Sequence, residues 1–461
     1  MKKRLFAGLL STVMLVTLLG GCGSSTNSSS SAVTEAQKTE ISTAASADGQ
    51  TTAASVKKFD GTTITLSCAS TPYIGTIIKQ LDEFTKLTGI TVEIDQLEND
   101  QLSNKIAVSS AAGGSDLDVI AYRPIQENKK YIANGWLEPL SDYISKSADW
   151  DLADYTDSAK SITSDKDGNP YGAALVTERE ILYFNTELLK AAGYTEGPKN
   201  FDELLQYCEK LNDPANGKYA LGLRGEGNAA VTQFSGFLYG FGGDFIVDGK
   251  AAINTPAFIK ALQFYGKLCR EYCPEGVLNA GWQETSTWFT QGTVAMRIDA
   301  DSQYSYALDP ANSLISDKVG YSILPGSTDE GSKPYSIVAW ALGISSNSAN
   351  KGASWEFIKW ATSKDMDLKA QQEGNFSARN STWTDPSSTA DLPAQLVSVV
   401  DASNKVAMPY DRPYMIDGAE ARTAIGELIT KAIEGISDAD LQTACDAVNA
   451  TVQQLLDKET A

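Results

Sequence analysis

The chain has 461 residues, 42% hydrophobic and 21% charged, with a formal charge of −20 and no histidine. The acidity argues against nucleic acid or an anionic lipid surface as partner. The missing histidine removes the commonest general base and metal ligand, and with them Ser-His-Asp, Cys-His and His-zinc chemistry.

Met1-Lys2-Lys3-Arg4 opens a basic stretch, followed by an apolar run over 5–19 that is too short for a comfortable membrane span and has the layout of a signal peptide over 1–21. The run ends Leu19-Gly20-Gly21-Cys22, which resembles the bacterial lipobox and marks Cys22 as a lipidation site. An acylated Cys22 would anchor the protein to the cell membrane. Residues 22–58 are rich in Ser, Thr and Ala, a composition that cannot bury enough apolar surface to fold. As a flexible tether it reaches about 30–35 Å.

About 400 residues remain, enough for two ordinary domains. The stretch 62–67 alternates as a strand with Ile64 and Leu66 on one face. Ile77, Ile78, Leu81, Phe84 and Leu87 recur at helical spacing up to Gly89. A second strand over 91–96, a helix over 100–112 and an apolar strand over 118–121 follow. Further helices are expected at 200–211, 256–272, 349–363, 417–434 and 438–458. Strands alternating with helices of this length indicate an α/β fold with parallel crossovers. Cys68, Cys208, Cys269, Cys273 and Cys445 have no zinc-type spacing, and Cys269 with Cys273 reads as packed thiols or a local disulfide. Asp165-Lys166-Asp167-Gly168-Asn169 has the start of a calcium loop, but Val176 stands where its closing Glu belongs, so it reads as a turn. Gly225-Glu226-Gly227 is not read as a dinucleotide motif, since 221–224 makes a poor strand and no helix opens cleanly behind it. No cofactor and no metal site is expected.

Several segments, in order, resemble the extracellular solute-binding proteins of the maltose-binding-protein-like family: GITVEIDQLENDQLSNKIAVSSAAGGSDLDVIAY (89–122), ANGWLEPLSDYI (133–144), DKDGNPYGAALVTEREILYFNTELLKAAGY (165–194), WFTQGTVAM (288–296), VAWALGISSNSANKGASWEFIKWATS (338–363) and RPYMIDGAEARTAIGELITKAIEG (412–435). The resemblance implies a two-lobed periplasmic-binding-protein-like fold (type II-like) with a ligand cleft between the lobes. The first lobe is expected at 60–170 plus about 300–345, and the second at 175–295 plus about 375–461. It also implies a monomeric lipoprotein that catalyses nothing, binds a sugar or oligosaccharide, and delivers it to the permease subunits of an ABC importer. Tyr171-Gly172-Ala173-Ala174 departs from the family by lacking the proline many relatives carry after that glycine.

A sugar offers C–H faces that stack on aromatic rings and hydroxyls best met by carboxylates, guanidinium groups and amides. Tyr122 and Arg123 follow a strand, at the end where open α/β sheets bind ligands. Tyr73 lies in the first strand–helix loop and Glu98 ends the second strand. Trp282 follows a loop and stands outside a helical repeat. The resemblance adds Glu178, Asp299, Asp301, Trp340 and Arg379, with Asp411 and Arg412 as weaker candidates and Phe241-Gly242-Gly243-Asp244 as a glycine pair near the cleft; Trp288 and Phe289 read as core. Two alternatives stand beside this reading: the same fold holding a peptide, polyamine, polyol or metal chelate, and a secreted glycoside hydrolase with paired carboxylates.

Overall fold

The computed structural model describes residues 57–460. The expected signal segment, Cys22 and the tether up to residue 56 lie outside the described residues. Among the described residues ten strands form, in chain order: β1 (Thr63–Ala69), β2 (Thr91–Leu97), β3 (Val119–Tyr122), β4 (Ala173–Asn185), β5 (Tyr219–Gly222), β6 (Ile246–Val247), β7 (Lys250–Ala251), β8 (Val294–Ala300), β9 (Val319–Ile323) and β10 (Ser336–Ile344). Eight of them join in one mixed sheet in the order β2-β1-β3-β10-β4-β8-β5, with β9 also on β4; β6 and β7 make a separate ribbon. β1 runs parallel to β2 and β3, as the strand–helix rhythm predicts, and β5 runs parallel to β8. β10 is antiparallel to both β3 and β4.

β4 organises the molecule. Its first half pairs with β10 and its second half with β8 and β9. Ala173, Ala174 and Leu175 belong to a first core with Ile64, Leu66, Phe84, Val119 and Trp355. Because successive side chains on a strand point to opposite faces, the second half then feeds two different cores. Leu182 and Phe184 enter one built on Phe234, Phe258, Met296, Ile425 and Leu455, while Ile181 and Tyr183 enter a smaller one with Phe289, Tyr321, Phe376, Trp383 and Leu396. The segment expected at about 300–345 divides between cores: Ala307, Ile315 and Tyr321 pack in the smallest one, and Val338 to Ile344 in the first.

The expected helices form where their caps dictate. Asn200 accepts from Glu203 N–H, and Thr255 accepts from Phe258 N–H with Pro256 in the first turn. Gly435, at φ 82, ends the Gly418–Glu434 helix in the left-handed region that glycine enters without strain. Three expectations need correction. The first helical stretch is two helices, Pro72–Lys79 and Leu81–Thr88, broken at Gln80. Behind Gly225-Glu226-Gly227 a helix does open (Gly227–Gly240), and β5 precedes it. Ala230 to Gly240 are buried on every side, so the sequence carries no polar stripe to announce a helix. Trp282 does follow a loop but is the first residue of a helix, Trp282–Thr290, rather than standing outside one. All five described cysteines are free, buried thiols, Cys269 and Cys273 included. Among the described residues no helix is long and apolar enough to cross a membrane.

Candidate ligand site

A cavity of about 830 Å³ opens where the strand ends of the first core face those of the second. That size suits a small-molecule site, which typically spans about 300–1,000 Å³. One wall comes from the β1 loop, where Thr71 caps the Pro72–Lys79 helix by accepting from Ile74 N–H and so presents Ser70 to Tyr73 to the cavity. Val176 and Glu178, two apart on β4, project to the same side. Beside them, the β10 register slips between Val338 and Ala341, and this irregularity brings both Ala339 and Trp340 to the cavity. The opposite wall carries Arg224 beyond β5, Trp282, and the turn after β8 with Ser302, Tyr304 and Tyr306.

The lining is rich in rings. Trp282 and Tyr306 have centroids 5.7 Å apart at 47°, and Tyr304 stacks on Phe376 at 5.2 Å and 10°. Among the rings stand a few charges. The Ser302 hydroxyl donates to Glu178 Oε1 at 2.8 Å. Burial raises the Glu178 carboxyl above its ordinary pKa, against the pull of Ser302 and Arg224. Arg224 turns its guanidinium back to Asp299, and Glu373 is held by the Thr76 hydroxyl at 2.7 Å and Lys79 Nζ at 2.9 Å.

Of the residues singled out in the sequence, Tyr73, Glu178, Trp282 and Trp340 come together around this cavity. The Tyr73 hydroxyl is directed to Asp367 and the Ala361 carbonyl, and the side chain is buried, so it braces the wall more than it offers a surface. Glu98 is exposed as the N-cap of the Asn99–Ala111 helix, and its neighbour Asn99 lines the cavity instead. Asp299, fully buried, receives Arg224 Nε at 3.1 Å, Arg297 Nη2 at 2.9 Å and the Thr285 hydroxyl at 3.2 Å. Burial works to raise its pKa, but the two arginines outweigh that and hold it below the ordinary carboxylate value. Asp301 pairs with Arg179, whose backbone N–H also donates to it at 3.0 Å. Arg379 is equally enclosed, donating to the Thr362 carbonyl at 2.7 Å and Asp154 at 3.1 Å over the Tyr155 ring. These three charged groups hold the scaffold together beneath the cavity and do not line it.

Tyr122 is fully buried with its hydroxyl donating to Asn128 Oδ1 at 2.9 Å. Arg123 lines a second cavity of about 530 Å³ together with Glu127, Asn228, Arg412 and Arg422. There Asp411 receives Arg412 at 2.6 Å through both Nε and Nη2, and burial with the neighbouring Arg412 brings Arg422 down to about 10. Gly242 lies in the left-handed region at φ 76, and Asp244 accepts from the Tyr410 hydroxyl away from the main cavity. Ser302, Tyr304, Tyr306, Phe376 and Arg224 escaped the sequence reading. A signal for two of them exists: Tyr304 and Tyr306 lie just past the short turn, Asp301–Gln303, that follows a buried strand. Asp165 accepts from the Asp167 and Asn169 N–H groups in a plain turn, and among the described residues no acidic or thiol cluster is arranged to hold a metal ion.

Comparison with known proteins places this architecture. The chain is 29% identical over 285 residues to the mannitol-binding protein of Pseudomonas aeruginosa, an alignment spanning 60% of this chain and 64% of that relative's length. It is 27% identical over 342 residues to the erythritol/L-threitol-binding protein of Mycolicibacterium smegmatis, spanning 69% and 70%. Its fold matches that of an ABC transporter solute-binding protein from Agrobacterium radiobacter K84 in complex with ribitol, with a TM-score of 0.73 at 25% identity, covering 86% of this chain and 99% of that one. The family profile of bacterial extracellular solute-binding proteins matches residues 70–367, more than half of the sequence, and with the strand order and facing walls described above the chain belongs to that family, one of binding proteins rather than enzymes.

Proposed function

We propose that the protein is the extracytoplasmic binding subunit of an ABC importer, which captures a neutral carbohydrate in the main cavity and hands it to membrane permease subunits. The lining of that cavity carries the reading: the rings of Trp282, Tyr304, Tyr306 and Trp340, interspersed with hydroxyls, the Glu178 and Glu373 carboxyl groups and Arg224, suit the alternating C–H faces and hydroxyls of a sugar. In this reading the first lobe comprises about 60–175 with 336–378 and the second about 180–325 with 380–460, as the separate cores suggest. Closure by hinge bending at the crossing strands alters the surface that the permease reads. Both walls come from one chain, so a monomer suffices. Acylation of Cys22 and the Ser/Thr-rich tether belong to the same proposal; mass analysis of the mature N-terminus, and release of a Cys22→Ser variant from cells, test them.

A second reading is favoured by the relatives. Two are named for alditols and the third was crystallised with one, so the ligand here would be a free polyol. Thermal unfolding with alditols, monosaccharides and oligosaccharides decides between the two. A ligand at 100 times its Kd stabilises by about 2.7 kcal/mol and is recovered chemically unchanged. If no polyhydroxylated solute raises Tm, both readings fail.

A further inference from the structure

The main cavity has a neighbour. A hollow of about 340 Å³ adjoins it along the Trp282–Thr290 helix, and the same two rings, Trp282 and Tyr306, bound both spaces. Tyr306 is 51% exposed, so its ring is open to a ligand. The rest of the outer lining is Gln283, Ser286, Thr287, Thr290, Gln291 and Asn312. All six are amides or hydroxyls. Five recur three and four apart, so they form one face of the helix. No charged side chain lines the hollow, in a chain that is 21% charged. Their bonding capacity is only partly used. The Thr287 hydroxyl donates to the Gln283 carbonyl at 2.9 Å, and Gln291 Nε2 donates to the Asn312 carbonyl at 3.1 Å, which leaves hydroxyl and amide oxygens as acceptors. Rings with uncharged donors and acceptors suit a ligand that is itself neutral and covered in hydroxyls. The main cavity alone holds on the order of 30 waters at about 30 Å³ each, more room than a six-carbon polyol fills.

We infer that the hollow beyond the Trp282–Tyr306 pair is an extension subsite for the distal rings of a linear, uncharged oligosaccharide whose other end occupies the main cavity. This rests on the carbohydrate reading above and narrows it, because a monosaccharide or free alditol leaves the extension empty. The shared ring pair is the threshold that the chain crosses, and the Gln283–Gln291 face sets how much chain beyond it is held.

Calorimetry tests the assignment with mannitol, ribitol, and the di-, tri- and tetrasaccharides of the malto-, cello-, xylo- and manno- series. Each is titrated into the wild type and into a Gln283→Ala, Thr287→Ala double variant, both positions being exposed. In at least one series affinity should rise about tenfold between the disaccharide and a longer member. The double variant should lose that rise yet keep disaccharide affinity within about twofold, with its ligand-free Tm unchanged. Affinity that does not grow with length in any series, or binding of alditols alone, overturns the extension subsite and leaves the polyol reading standing. A double variant that keeps the full rise overturns the subsite as well. If none of these probes binds, the carbohydrate reading fails with it.

Discussion

Beneath the main cavity, where β4 lies against β8, Arg179 meets Asp301 while Arg224 and Arg297 converge on Asp299, and of these side chains only Arg224, at 11%, is more than 1% exposed. Around the mouth, Trp282, Tyr304, Tyr306 and Trp340 stay partly or fully exposed, and Trp282, Tyr304 and Tyr306 each meet another ring. The floor invests charge in architecture: Asp299 and Asp301 have their acceptor positions filled by guanidinium groups, a hydroxyl and backbone N–H groups, so little of either is left for a ligand. The rim leaves ring faces open, and those faces are what a sugar can use. Breaking each region should therefore register in a different measurement.

The largest effect belongs to the floor. Asp299→Ala strands Arg297 and Arg224 in a buried site without their shared counter-charge, and removing one partner of a buried pair costs about 3–5 kcal/mol. Denaturant unfolding should show that loss in the ligand-free protein. A loss below about 1 kcal/mol would mean that the floor is wetter than its burial indicates. Trp282→Ala is the counterpart on the rim. It should weaken binding of whichever saccharide stabilises the wild type by about ten- to a hundredfold, while ligand-free stability falls by much less than for Asp299→Ala. Equal effects of the two substitutions on folding would erase the distinction between floor and rim.

Much of the framework was legible in the sequence because its signals are local. Ile64 and Leu66 alternate with polar residues, and both are fully buried on β1. Asn200, Thr255-Pro256 and Gly435 mark helix ends within a turn of themselves. What stayed hidden is long-range. Asp299 is bound by its strand neighbour Arg297 but also by an arginine 75 residues away, and Asp301 by one 122 residues away, so the local sequence does not tell whether either carboxylate faces ligand or scaffold. Trp340 owes its place on the cavity to a register slip against β4, which sits more than 150 residues earlier in the chain. The Gly227–Gly240 helix was missed for a different reason: buried all round, it has no amphipathic period to detect.

The last prediction sharpens the comparison from within the floor. Glu180 sits on β4 next to Arg179, fully buried, yet neither of its carboxylate oxygens has a hydrogen-bond partner. Burial, reinforced by the Asp299 charge and opposed by Arg224, pushes its pKa well above the ordinary glutamate value. The native state thus keeps a proton that the unfolded chain gives up. More protons bound to the native state means that stability is present below the ordinary glutamate value and declines as pH rises above it. Asp299 acts in the opposite sense: its lowered pKa lends stability above the ordinary aspartate value that is lost on acidification. Glu180→Gln keeps the shape and removes the titration. Its stability relative to wild type should therefore grow as pH is raised from 4 toward 7, by at most about 1.4 kcal/mol per pH unit. A difference that stays flat, or a variant less stable at every pH, would show that Glu180 is ionised and paired after all, and that the whole floor follows the pattern of Asp299.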